Sequence, residues 1–162
     1  MIFFTVGTQL PFDRLTQALD VWAADNPDHK IIGQISDPGP EGYKPRHFAW
    51  TEHFDPASFQ ARFETATHIV AHAGMGTIIS ALSAGKPLLI MPRRAELGEQ
   101  RNDHQLATAR RFGEKPGIRV VEEAGEVASC MDELLALGVT AAATGRFADP
   151  ALIAALRAEL MG

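Results

Sequence analysis

The sequence predicts an α/β fold built on a doubly wound parallel sheet, and three observations support this prediction. Short apolar segments of strand length alternate with segments of helical periodicity along the chain. No internal sequence repeat accompanies this alternation. The 162 residues, of which 46% are hydrophobic and 22% charged, are enough for one domain with its own core. We therefore expect a single Rossmann-like domain over residues 1–162, with helices on both faces of the sheet.

The first half of the chain predicts three strands and two helices. Apolar residues at helical spacing follow Pro11, which suits the first turn of a helix, and Asn26 ends that helix ahead of a proline. The segment 37–42 is rich in glycine and proline and predicts a loop. In order, the predicted elements are a strand at 2–6, a helix that starts at Pro11 and stops before Asn26, strands at 30–35 and 47–50, and a helix at 56–65.

The second half of the chain alternates more regularly between the two kinds of element. Gly74 and Gly76 mark a turn from a buried strand into a helix. A final helix carries an apolar stripe, so the segment 149–162 is expected to cover the chain's own core or to contact a partner. In order, the predicted elements are strand 67–72, helix 77–84, strand 87–92, helix 103–112, strand 118–121, helix 126–137 and the C-terminal helix 150–161.

Charge and cysteine content exclude several classes of protein. The formal net charge of −5 supplies no basic field that would hold a nucleic acid. The single cysteine, Cys130, excludes an internal disulfide and a cysteine-rich zinc site, and its apolar helical setting predicts a core position. The sequence shows neither a signal peptide nor an apolar run of about 20 residues, so we expect a soluble, cytoplasmic protein.

Three segments that follow predicted strands are candidates for a binding site. They are Gly7-Thr8-Gln9, the run His72-Ala73-Gly74-Met75-Gly76-Thr77, and the loop after Met91. In doubly wound sheets ligands bind beyond the carboxyl ends of the strands, so these segments are expected to converge.

The run from His72 to Thr77 predicts a phosphate site. Its two glycines allow a backbone to approach a ligand closely, and the free N–H groups of a first helical turn attract an anion. A tight strand-to-helix turn without a ligand is the alternative. A nicotinamide cofactor is not expected, because Ile79 replaces the third small residue of the dinucleotide fingerprint and Arg93 stands where an acidic residue is needed.

The run Asn102-Asp103-His104-Gln105 has two interpretations. The spacing of Asn102 and Gln105 is that of a capping box, which would only start a helix. Alternatively, Asp103, His104 and Gln105 present donors and acceptors to sugar hydroxyls. The charged loop 93–101 before this run is either a solvated loop or a mobile lid.

Taken together, these motifs resemble the C-terminal donor-binding domain of family 28 glycosyltransferases, which are GT-B enzymes. The resemblance spans about residues 1–125. It is closer still to single-domain subunits of split enzymes, such as the small catalytic subunit of the eukaryotic dolichol-linked UDP-GlcNAc transferase and its bacterial capsule and exopolysaccharide counterparts. The segments that carry it are Met1 to Gly7, His72 to Thr77, Gly85-Lys86-Pro87-Leu88, Met91-Pro92-Arg93 and Asn102 to Gln105.

The resemblance implies where a UDP-sugar would bind. The turn from Gly74 to Thr77 would hold the UDP diphosphate, with Gly7-Thr8-Gln9 near it. Asp103-His104-Gln105 would approach the sugar, and the loop of His53, Phe54 and Asp55 would border the uracil. Related enzymes often place a ribose-binding glutamate eight residues after the histidine, where this chain has Ser80.

The resemblance also implies an activity: inverting sugar transfer from a UDP-sugar to a lipid-diphosphate-linked saccharide in polysaccharide biosynthesis. A second, membrane-anchored polypeptide would carry the acceptor half and hold this chain at the inner face of the plasma membrane. His72, His104 or a partner residue would act as general base. No cofactor and no metal are expected, since the helix start at Gly76-Thr77 would stabilise the departing UDP. The alternative is a non-catalytic subunit that binds the UDP-sugar or stabilises a partner.

Overall fold

The computed structural model of the chain describes residues 1–138, and its helices and strands alternate as the sequence predicts. The predicted C-terminal helix at 149–162 lies outside the described residues. The strands are β1 (Ile2–Thr5), β2 (Ile31–Gln34), β3 (Ala49–Thr51), β4 (His68–His72), β5 (Leu88–Met91) and β6 (Ile118–Val120). The helices are α1 (Asp13–Asp25), α2 (Pro56–Thr65), α3 (Met75–Ser83), α4 (His104–Phe112) and α5 (Val127–Ala136).

The six strands form one parallel sheet in the order β3-β2-β1-β4-β5-β6, which confirms the predicted fold class. In β1, Phe4 pairs with Gly33 of β2 on one side and with Val70 of β4 on the other. The chain therefore builds the sheet outward from β1 in one direction and then in the other. The loops that follow β1 and β4 diverge at this switch point and leave a crevice between them.

Helices cover both faces of the sheet, as predicted. Successive residues of β1 point to opposite faces, so Phe4 packs among the residues of α1 and α5, whereas Phe3 packs among those of α2, α3 and α4. Cys130 of α5 lies half-buried against the first of these two cores, in line with its predicted position. Burial raises the pKa of its thiol. None of the helices in residues 1–138 is long and apolar enough to span a membrane.

Several element boundaries differ from the predictions, and at two of them a side chain forms a hydrogen bond with the backbone at the boundary. Helix α1 begins at Asp13 and not at Pro11, since Arg93 binds the Pro11 carbonyl at 2.7 Å. Strand β3 starts at Ala49 and not at 47, since the N–H of His47 donates to the carboxylate of Asp20 on α1 at 2.8 Å. Helix α3 begins two residues earlier than predicted, at Met75.

Candidate functional site

A cavity of about 320 Å³ opens at the switch point between β1 and β4. Its walls are the loop after β1, the turn from β4 into α3, Arg93 beyond β5 and the start of α4. The segments that the sequence predicted to converge do so here, because all parallel strands end at the same edge. The lining residues are Val6, Gly7, Thr8, Gln9, Leu10, His72, Gly74, Met75, Gly76, Arg93, Gln100, His104 and Gln105.

The loop after β1 is held from outside the cavity. Gly7 has a φ of +88°, which glycine adopts without strain. Its N–H donates to Thr5 Oγ1 at 3.2 Å. Its carbonyl accepts hydrogen bonds from Gln34 Nε2 at 3.0 Å and from Ser36 Oγ at 3.1 Å. The backbone orientation at this wall of the cavity is therefore set by two side chains from β2 and its following loop.

The ring of His72 lies between two glycines from different loops. A Cβ at Gly74 would come within 2.3 Å of His72 Nε2, and a Cβ at Gly7 would come within 3.0 Å of Cε1. These two glycines are needed because the imidazole occupies the space that a side chain would take. Gly76 differs from them, since a Cβ there would meet nothing within 4 Å. Packing against His72 explains Gly74, so Gly76 is the glycine of this turn that close approach of a ligand to the backbone would explain.

The imidazole of His72 is neutral at physiological pH. Burial, together with the positive charge of Arg93, lowers its pKa from 6.5 to about 4, and the backbone carbonyl of Thr5 only partly opposes this. Its Nδ1 is buried and has no partner at hydrogen-bonding geometry among the described residues. A neutral ring beside the cavity donates one hydrogen bond and accepts one, depending on its tautomer.

The N-terminus of α3 supplies backbone donors to the cavity. Its N-cap, Gly74, makes no side-chain cap, so the N–H groups of the first turn are left for other acceptors. Met75 and Gly76 line the cavity, whereas Thr77, which was predicted to do so, does not. Ser80, where the resemblance leads us to expect a ribose-binding glutamate, donates its hydroxyl to the Gly76 carbonyl at 2.9 Å within α3.

Arg93 lines the cavity and holds the backbone around it, although the sequence analysis gave its side chain no role. It is 2% exposed, and its guanidinium stacks over Phe12 at 4.6 Å. Burial lowers its pKa to about 10, with the charge of Glu99 opposing that shift, so it remains positively charged at neutral pH. It donates to the carbonyls of Val6 at 2.9 Å, Leu10 at 2.7 Å and Pro11 at 2.7 Å. One buried cation therefore fixes the loop after β1.

Ion pairs and hydrogen bonds tie the loop 93–101 to the rest of the domain, and its role as a mobile lid stays a prediction. Glu99 forms a two-pronged ion pair with Arg14 of α1, at 2.7 and 2.9 Å. The same carboxylate accepts the Arg94 N–H at 2.9 Å. Arg14 also donates to the carbonyls of Pro92 at 2.9 Å and Glu122 at 2.6 Å. These contacts pin the loop to α1 and to the segment after β6.

The start of α4 contains no capping box of Asn102 and Gln105, so that interpretation is wrong. Gln105 is 4% exposed, and its Oε1 accepts the Arg93 N–H at 3.1 Å. The N-cap of the helix is Asp103, whose carboxylate accepts the Ala95 N–H at 2.8 Å. Neither Asn102 nor Asp103 lines the cavity. The side chain of His104 does so, and its Nδ1 contacts Asn102 Oδ1.

The loop of residues 53–55 lies outside this cavity. Asp55 caps α2 by accepting the Ser58 N–H at 3.0 Å, and Phe54 packs against Phe3 in the core. The exposed His53 borders a separate shallow depression with Trp50. Contact of this loop with uracil therefore stays a prediction.

Sequence reasoning missed four side chains that build or line the site: Gln34, Ser36, Arg93 and Gln100. A polar residue at the end of a buried strand was the available signal for Gln34, and the same signal had been used for His72. Within residues 1–138, no group of three or more His, Cys, Asp or Glu side chains is arranged to hold a metal ion.

The fold and the cavity together define a Rossmann-like α/β domain with a ligand cavity at its topological switch point. Residues 1–136 match the model of the glycosyltransferase family 28 C-terminal domain, and the chain belongs to that family. The sequence matches no curated protein closely enough to identify a relative.

Solved glycosyltransferase structures of the GT-B type share this fold. The glycosyltransferase of kitacinnamycin aligns with a TM-score of 0.58 at 20% identity, over 98% of this chain and 38% of its own. SnogD from Streptomyces nogalater aligns with 0.54 at 23% identity, over 83% and 34%. MurG from Acinetobacter baumannii aligns with 0.57 at 17% identity, over 82% and 40%. The chain thus spans about two fifths or less of the length of these structures.

Proposed function

We propose that this chain is the donor-binding half of an inverting glycosyltransferase that takes its sugar from a UDP-sugar. The observation that carries the proposal is the cavity at the switch point, which combines the donors of the α3 N-terminus with the buried cation of Arg93. Both features favour a dianionic diphosphate. Membership of the glycosyltransferase family supports sugar transfer as the reaction.

In this proposal the site acts mainly on the leaving group. Negative charge develops on the UDP diphosphate as the bond to the sugar breaks. Met75 and Gly76 of the first turn line the cavity, and their N–H groups would stabilise that charge without reorganising. Arg93 would add a fixed positive charge beneath the same loop, and neutral His72 would donate one hydrogen bond.

His104 is the better candidate for a general base among the two histidines. A base acts best when its pKa lies near the working pH, and a pKa of about 4 makes His72 a weak base. His104 is exposed at the cavity wall, where an acceptor hydroxyl would have access to it. A residue of the acceptor half remains the alternative to His104.

We place the acceptor half on a second, membrane-anchored polypeptide, with a lipid-diphosphate-linked saccharide as acceptor. GT-B structures that share this fold are more than twice as long as the region that aligns with this chain. The matched residues therefore supply the donor half and not the acceptor half. Such a complex would hold this chain at the membrane surface. The competing function is a subunit that binds the UDP-sugar without contributing to catalysis.

The first test is nucleotide binding by the protein itself. Calorimetric titration with UDP should give a measurable Kd, and UDP should raise the melting temperature by mass action. Gly76→Val should abolish binding and keep the fold, because the space at Gly76 is open to the cavity. A preference for ADP or NADP over UDP, or no binding at millimolar UDP, would contradict the proposal.

The second test separates catalysis from binding. Sugar transfer is measured with the reconstituted pair of this chain and its membrane-anchored partner. His104→Ala should lower kcat and leave the Kd for UDP unchanged if His104 is the base. Full transfer by a pair with both His72→Ala and His104→Ala would show that neither histidine is the base, as expected for a base on the acceptor half or for the non-catalytic subunit. Removing residues 149–162 should abolish co-purification with the partner if that segment is an interface.

A further inference from the structure

Gln34 joins two loops at the carboxyl edge of the sheet without itself lining the cavity. Its side chain is 1% exposed. Its Nε2 donates to the Gly7 carbonyl at 3.0 Å, and its Oε1 accepts the Phe54 N–H at 2.8 Å. A single buried amide thus ties the loop after β1, which forms a cavity wall, to the loop after β3.

The hydrogen bond to Gly7 also sets the direction of the next backbone donor. The chain has no cis peptide bond among the described residues, so the Thr8 N–H points away from the Gly7 carbonyl. That carbonyl is turned toward Gln34 and Ser36, which stand outside the cavity lining, whereas Gly7 and Thr8 belong to it. No group within residues 1–138 accepts a hydrogen bond from the Thr8 N–H.

We propose that Gln34 is a positioning residue for nucleotide binding, and this inference rests on the proposed function. By holding the Gly7 carbonyl outward, Gln34 keeps the Thr8 N–H available to an anion in the cavity. A carbonyl turned inward would instead repel a phosphate. By binding the Phe54 N–H at the same time, Gln34 fixes the spacing between this wall and the loop after β3.

Glutamate at this position distinguishes the two hydrogen bonds. In Gln34→Glu, one carboxylate oxygen still accepts the Phe54 N–H, but the other cannot donate to the Gly7 carbonyl and repels it. The protonated carboxylic acid donates again, and burial raises the pKa of such a group. The variant is therefore expected to be defective at high pH and to recover as the pH falls.

The experiment measures the Kd for UDP by calorimetry at about pH 8 and about pH 5.5, each value relative to wild type at the same pH. Gln34→Glu should bind UDP about tenfold more weakly at the higher pH, and the difference should shrink at the lower pH. Lys86→Met is the matched control, since Lys86 donates to the carbonyls of Glu64 and Ala66 at the opposite edge of the sheet. It should bind UDP as wild type does.

An affinity of Gln34→Glu equal to wild type at both pH values overturns the inference, as does an equal loss in Lys86→Met. A wild-type protein that fails to bind UDP overturns the proposed function and with it the nucleotide role of Gln34. Amide hydrogen exchange then still decides whether Gln34 links the loops. Faster exchange of the Phe54 amide in Gln34→Met but not in Gln34→Glu supports the link, and equal exchange in both refutes it.

Discussion

The imidazole of His72 and the backbone of Gly74 occupy adjoining space, so that a Cβ at Gly74 would lie 2.3 Å from Nε2 of the ring. The two residues are two positions apart in sequence, and they pack against each other at the cavity wall. A glycine is required at position 74 because the imidazole fills the space of a side chain, and this determines what substitutions in this turn should do.

Gly74→Ala and Gly76→Ala should affect stability in opposite directions. At Gly74 the added methyl displaces the ring, an overpacking that costs about 1–3 kcal/mol. At Gly76 the added methyl meets open space inside α3, where alanine is favoured over glycine by up to about 1 kcal/mol. Chemical denaturation of both variants measures the difference. Equal stability changes would contradict the packing of the ring against Gly74.

His72 should make the protein less stable as the pH falls from about 6.5 toward 4. Its folded pKa of about 4 lies below the unfolded value of 6.5, so the unfolded state binds the proton first. The stabilisation is complete above pH 6.5 and is lost by about pH 4, with a maximum size of about 3 kcal/mol. Denaturation of wild type and His72→Asn across this range isolates the effect. The two pH dependences should diverge, and parallel curves would show that His72 titrates normally.

Gln105 should contribute to stability through the backbone of Arg93. Gln105→Ala leaves the buried Arg93 N–H without its acceptor and should lower the free energy of unfolding by about 1–3 kcal/mol. Gln105→Glu keeps an acceptor oxygen and should remain closer to wild type. A loss in Gln105→Glu as large as that in Gln105→Ala would show that the hydrogen bond at 3.1 Å is not the cause.

Breaking the Arg14–Glu99 pair should release the loop 93–101. Glu99→Ala removes three hydrogen bonds to charged or backbone donors and should lower stability by about 1–3 kcal/mol. Trypsin should then cut after the exposed Arg101 faster than in wild type. The control is Glu96→Ala. Glu96 is 73% exposed, and its ion pair with Arg94 is long, at 3.8 Å, so it should contribute little to stability. Accelerated cleavage in both variants would argue against a specific role of Glu99.

Local patterns predicted the fold well where a single segment carried the signal. Helix α2 has the predicted bounds Pro56–Thr65, because Asp55 and Pro56 form a recognisable helix start. The predictions failed where the backbone forms a hydrogen bond with a side chain that is distant in sequence. The spacing of Asn102 and Gln105 matches a capping box, yet the side-chain oxygen of Gln105 accepts a hydrogen bond from the backbone N–H of Arg93 instead.

The sequence by itself determined the α/β class, the order of strands and helices along the chain, and the edge of the sheet where the candidate site lies. These follow from hydrophobic periodicity and glycine turns, which are properties of short segments. Only the tertiary structure decided which buried polar groups meet there. Arg93 binds Val6, 87 positions earlier, and Gln34 binds Gly7, 27 positions earlier. A buried donor forms a hydrogen bond with whichever acceptor the fold places beside it, and a local sequence pattern does not show which acceptor that is.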